Sequence, residues 1–89
     1  MDQLIDEFLQ DLELSGKTKI TVLHYGYCLK NYAAYLAGKD PLNADKDTLR
    51  GFIGYLKGQG KTTKTIENYF SVLSSFYEYM VFEGKTAAN

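Results

Sequence analysis

One cysteine, one histidine, one proline, one arginine and no tryptophan set the first limits on this chain. A lone Cys28 excludes an internal disulfide and any multi-cysteine metal cluster, and a lone His24 leaves too few soft ligands for a zinc site. Neither a metal nor an organic cofactor is expected. No apolar run approaches the roughly 20 residues that a membrane span needs. The acidic, amphipathic start from Met1 to Leu14 has neither the basic head nor the continuous apolar core of a signal peptide. These absences predict a soluble, cytoplasmic protein with no membrane partner. A length of 89 residues falls below the roughly 100–150 of a typical single domain. It fits one domain over 1–89, or a domain of a longer chain, and leaves no room for two. What is present is core material: 45% hydrophobic with 24% charged residues marks a globular chain rather than a disordered one.

Charge of one sign is missing locally rather than overall. The net charge is −1, yet residues 1–15 carry Asp2, Asp6, Glu7, Asp11 and Glu13 with no base, and residues 57–66 carry Lys57, Lys61 and Lys64 with no acid. Apolar residues recur at helical steps. Leu4, Ile5, Phe8, Leu9 and Leu12 predict a helix over 3–15, stopped at Ser15-Gly16. Thr18 offers a cap for a second over 19–37, with Val22, Tyr25, Leu29, Tyr32 and Leu36 on its stripe. Asp40-Pro41 marks a loop. Asp45 or Asp47 then caps a third helix over 46–58, built on Leu49, Phe52, Ile53 and Leu56. Thr62 or Thr63 caps a fourth over 63–83, with Ile66, Tyr69, Phe70, Leu73, Phe76, Tyr77 and Met80. No period-two strand pattern occurs, so the fold class is all-α, with Phe8, Leu12, Leu29, Tyr32, Phe52, Leu56, Leu73 and Phe76 in the core. Cys28 reads as a small, partly buried hydrophobe.

The chain repeats itself at an offset of 44 residues. Phe8, Leu12, Gly16, Lys17, Thr18, Thr21, Tyr25 and Leu29 recur as Phe52, Leu56, Gly60, Lys61, Thr62, Thr65, Tyr69 and Leu73. Two amphipathic helices always share apolar spacing, but Gly-Lys-Thr-x-x-Thr at both turns is not demanded by core packing. Two copies of one helical hairpin are expected. The phosphate-loop motif does not apply, because its earlier glycine is Asp11 in one copy and Tyr55 in the other. No nucleophile, base and orienting group suggest a catalytic set, so the chain itself is not read as an enzyme. Each turn instead opens a helix whose N–H groups and dipole attract an anion. Lys17, Thr18, Lys19 and Thr21 flank the first, and Lys61, Thr62, Thr63, Lys64 and Thr65 flank the second. His24, Asn31, Asn68 and Ser71 are candidates to approach bases. Helix capping alone is the competing explanation of the same residues.

The ordered set of Thr21-Val22, Tyr25, Leu29, Tyr32, Leu36, Pro41-Leu42, Thr48-Leu49, Phe52-Ile53, Leu56, Gly60-Lys61-Thr62, Thr65-Ile66, Leu73, Phe76-Tyr77 and Tyr79 resembles the N-terminal core-binding domain of the tyrosine recombinase (phage integrase) family. The likeness covers nearly the whole chain, and 84–89 resembles the passage toward that family's catalytic domain. The resemblance implies a SAM-like orthogonal bundle of four to five helices, in a fragment of a longer recombinase. It implies that this bundle clamps double-stranded DNA, with helices two and four toward the major groove. It also implies a C-terminal catalytic domain in the same chain and further recombinase protomers on the DNA as partners. Lysines stand here where the family's fourth helix commonly has arginines, and Asn68 and Ser75 occupy positions that are often basic. The family's catalysis draws on arginines, a lysine, histidines and a tyrosine of the other domain, so none of the eight tyrosines here is read as a nucleophile. A small helical protein-interaction domain, anchored by Tyr27, Tyr35, Tyr55, Tyr79 and Phe82, is the alternative function.

Overall fold

The computed structural model describes residues 2–84; the expected passage toward a second domain lies, beyond Gly84, outside the described residues. Four α-helices appear among them: α1 over Asp2–Leu14, α2 over Lys19–Leu36, α3 over Lys46–Gly58 and α4 over Thr63–Phe82, with a short 3-10 turn at Pro41–Asn43. No strand occurs among the described residues, and each expected helix is present to within one residue at either end. The chain divides into two compact units, Met1–Gly38 and Lys39–Asn89. The first holds the α1–α2 hairpin and the second α3 and α4, so the units follow the 44-residue repeat.

In the first unit Ile5, Phe8 and Leu12 of α1 are buried, as are Val22, Cys28, Leu29, Tyr32 and Leu36 of α2. In the second, Phe52 and Leu56 of α3 are buried with Tyr69, Val72, Leu73, Phe76 and Met80 of α4. All eight positions expected in the core are among them. The repeat extends to a specific contact. Phe8 of α1 meets Tyr25 of α2 at 6.1 Å between ring centroids, and their counterparts Phe52 and Tyr69 meet at 5.8 Å. Edge and tilted ring contacts of this kind add to the burial itself.

Three expectations are corrected. Phe70 belongs to the apolar run of α4 but is 58% exposed; at about 100° per residue it points roughly 100° away from the centre of the buried stripe of Tyr69, Val72, Leu73, Phe76 and Met80, and so falls outside the core. Cys28 is fully rather than partly buried, and burial pushes its thiol up to about 11, which keeps it neutral and unreactive. Tyr79 is half-buried rather than an exposed anchor. The loop at Asp40-Pro41 is also more ordered than its composition suggests. The Asp40 carboxylate accepts from the Leu42 N–H at 2.9 Å, and the Tyr77 hydroxyl donates to the Pro41 carbonyl at 2.9 Å across 36 residues of sequence.

The repeat is not kept where the helices of a hairpin approach each other. Gly26 of α2 is buried, and a Cβ there would meet Leu9 Cδ1 of α1 at 3.3 Å; glycine allows α1 and α2 this close approach. Its counterpart in the second unit is Phe70. That side chain lines a groove of about 710 Å³ together with Leu49, Leu73, Tyr77 and Val81.

Helix α2 ends on Ala37, not on Gly38 alone: Ala37 takes φ 52°, ψ 47°, and its N–H donates to the Ala33 and Ala34 carbonyls at 3.2 Å each. The left-handed region costs alanine about 1–2 kcal/mol and glycine almost nothing, while glycine loses about 0.4–1 kcal/mol through the unfolded chain. Ala37→Gly should therefore stabilise the fold by about 0.5–1 kcal/mol, seen as a rise of a few degrees in a thermal melt; a lower melting temperature would contradict the left-handed cap.

Asp45, not Asp47, caps α3. Its carboxylate accepts from the Thr48 N–H at 2.9 Å and from the Thr48 hydroxyl at 3.0 Å. These bonds hold its carboxyl below the ordinary value of 3.8. A depressed acid contributes stability that is complete above its unfolded value and is lost as pH falls through its folded one. The Thr48 amide resonance should therefore titrate with a midpoint below 3.8, and a midpoint above it would exclude this cap.

Candidate nucleic-acid interface

Both Gly-Lys-Thr turns are assembled from the same hydrogen bonds. In the first, the Gly16 N–H donates to the Glu13 carbonyl at 3.1 Å and the Lys17 N–H to Leu12 at 3.1 Å; in the second, Gly60 donates to Lys57 at 3.0 Å and Lys61 to Leu56 at 3.1 Å. This is the Schellman closure, which needs a left-handed residue at its centre. Gly16 and Gly60 supply it with φ of 89° and 81°. Two residues after each glycine comes the cap of the following helix. Thr18 and Thr62 have extended backbones, and their hydroxyl oxygens accept from the N–H groups of Thr21 and Thr65 at 3.2 Å each. Those hydroxyls also donate to the hydroxyls of Thr21 and Thr65, at 3.0 and 3.1 Å.

Capping thus accounts for the glycines, for both pairs of threonines and for the lysine backbones. It leaves the lysine side chains unexplained. Lys17 and Lys19 at one turn, and Lys61 and Lys64 at the other, are exposed. Neither α2 nor α4 has an acid in its first turn, whereas α3 neutralises its own start with Asp45 and Asp47. An N-terminal dipole with no acid of its own, beside two lysines, favours an anion from outside.

Each turn sits in its own unit, the first gathering Lys17, Thr18, Lys19 and Thr21 and the second Lys61, Thr62, Thr63, Lys64, Thr65 and Asn68. Thr21 and Thr65 are half-buried and the other eight are exposed. On α4, Lys64, Asn68 and Ser71 follow at steps of four and three, forming one exposed polar stripe that starts at the turn. On α2, His24 is exposed with its Nε2 3.9 Å from the Cys28 Sγ, and Asn31 is half-buried rather than open. The apolar pattern missed Ile20 and Leu23, which are 80% and 73% exposed. The signal for them was present: the stripe of Val22, Leu29, Tyr32 and Leu36 already uses the buried face, and both fall opposite it.

The chain matches the family described as phage integrase, N-terminal SAM-like domain, over residues 5–84. It is similar to the tyrosine recombinase XerD of Listeria innocua, 28% identical over 96% of this chain and 30% of that protein. It is also similar to the XerD of Oceanobacillus iheyensis, 28% identical over 98% of this chain and 31% of that protein. The chain therefore spans under a third of the length of these relatives. No solved structure matches it. No helix among the described residues is long and apolar enough to cross a membrane.

Proposed function

The chain belongs to the phage-integrase N-terminal SAM-like domain family, and from that premise we propose that it is the DNA-binding part of a cytoplasmic tyrosine recombinase. In this reading it grips duplex phosphates through the turns at Lys17–Thr21 and Lys61–Thr65, and Asn68 approaches the bases. Strand cleavage and rejoining belong to a C-terminal catalytic domain of the same protein, which acts with further protomers on the DNA. The observation that carries the reading is the pair of turns closed and capped by corresponding hydrogen bonds, each with two exposed lysines and no acid in the first turn of the helix it opens.

The lysines set the strength. Four side chains, Lys17, Lys19, Lys61 and Lys64, can neutralise about four phosphates, which gives a slope of log K against log salt near −3.6 and an affinity of about 10⁻⁴–10⁻⁶ M. The test is fluorescence anisotropy of a labelled duplex titrated with the chain at several salt concentrations. A slope between about −3 and −4 supports the reading. A salt-independent isotherm, or no binding at low salt, would count against it. Concentration-dependent sedimentation without DNA would favour the protein-interaction alternative, for which Tyr27, Tyr35, Tyr55 and Phe82 are exposed anchors.

A further inference from the structure

Helix α2 is apolar around most of its circumference, but the fold buries only one side. Ile20, Leu23 and Tyr27, at steps of three and four, share the opposite face and are 80%, 73% and 59% exposed. Single exposed hydrophobes need no explanation; three in line on one helix, beginning one residue after the Lys19 that flanks a turn, call for a covering partner.

The charge around that face selects the partner. From Lys19 to Leu36 the helix contains no acid, and Lys19, His24 and Lys30 are exposed beside the apolar line. A surface of this kind is complementary to a polyanion that also presents apolar groups. The repeat sharpens the contrast, because the counterparts of Ile20, Leu23 and Tyr27 at the 44-residue offset are Lys64, Glu67 and Ser71, all exposed and all polar. The copies kept the same turns but present different chemistry along the helices that follow. In a major groove the base edges offer hydrogen-bond donors and acceptors, and one apolar feature, the 5-methyl group of thymine.

We infer that the face of α2 formed by Ile20, Leu23 and Tyr27 reads thymine, covering 5-methyl groups in the major groove while Lys19 and Lys30 lie toward the phosphates. This rests on the DNA-binding reading above and adds a base preference to it. Each methyl group covered is worth about fourfold in affinity, the equivalent of about 0.8 kcal/mol.

The experiment compares three alternating duplexes of roughly two helical turns, or about 20 base pairs, by anisotropy at low salt: d(AT), d(AU) and d(GC). In d(AT) every register presents thymine, and d(AU) differs from it by the methyl groups alone. The chain should bind d(AT) about 4- to 15-fold more tightly than d(AU), for one or two methyl groups covered. The double variant Ile20→Gln, Leu23→Gln should bring the ratio to one, with a thermal melt showing that it remains folded. Equal affinity of the unaltered chain for d(AT) and d(AU) overturns the inference and leaves the DNA-binding reading standing. No binding to any of the three defeats both. If the unaltered chain sediments as a dimer and the double variant as a monomer, the face covers a second copy of the chain, and the thymine assignment falls.

Discussion

Replacing Lys61 and Lys64 together with glutamate should leave the fold standing and remove DNA binding. Both side chains are exposed, and α4 has no acid in its first turn. Acids introduced there suit the helix dipole, and exposed substitutions away from caps stay within about ±0.5 kcal/mol. Binding responds differently. An exposed lysine beside a phosphate contributes up to about 1 kcal/mol, and reversing its sign adds repulsion of the same order. Two reversals cost up to about 4 kcal/mol, close to a thousandfold in affinity. The salt slope should fall by about two. Lys17→Glu with Lys19→Glu is the matching change at the first turn. An anisotropy titration beside a thermal melt separates the effects. Variants that keep both melting temperature and salt-dependent affinity would reduce the two turns to helix caps.

Phe52→Ala should give the largest loss of stability. The Phe52 ring is fully buried and meets Tyr69 at 5.8 Å and Tyr55 at 6.3 Å between centroids. Truncating a buried phenylalanine costs about 3–5 kcal/mol through lost burial and the cavity left behind. Domains of this size are stable by about 4–13 kcal/mol in total, so the change removes a large share of the fold's stability. At about 4–8 °C per kcal/mol, the melting temperature should fall by at least about 12 °C. Leu73→Ala, 3% exposed, should lose about 2–5 kcal/mol by the same mechanism. DNA binding by these variants should weaken in proportion to the unfolded fraction, with the salt slope of the folded remainder preserved. A Phe52→Ala protein that melts within a few degrees of the unaltered chain would contradict the burial of that ring.

The helices were legible because their ends are written in residues with few alternatives. Gly16 and Gly60 supply the left-handed positions, and Thr18, Asp45 and Thr62 supply the capping oxygens. Spacing was enough for the buried stripes, since Phe8, Leu12, Leu29 and their counterparts recur at 3.6-residue intervals. It was not enough for Phe70 or Cys28. Where two apolar residues adjoin, or a helix is apolar nearly all round as α2 is, periodicity does not decide which side chain turns inward. The Tyr77–Pro41 hydrogen bond joins residues 36 positions apart, a pairing that no local pattern encodes. The same limit applied to the candidate site. Gly-Lys-Thr-x-x-Thr stood out as a repeat, but hydrogen-bond geometry was needed to show that glycine and threonine serve the turn itself, which leaves the lysines as the residues available to a ligand. Ile20 and Leu23 were hidden as ordinary helical hydrophobes until their exposure set them apart.

The central claim is that two like turns, one in each unit, present lysines to the phosphates of duplex DNA. Amide chemical-shift mapping of the chain with a short duplex, at low and then high salt, tests it directly. Perturbations should cluster at residues 16–25 and 60–69 and vanish as salt is added, because contacts that release counterions weaken steeply with ionic strength. Perturbations that persist at high salt, or that map to α1 and α3 with both turns unmoved, would contradict it.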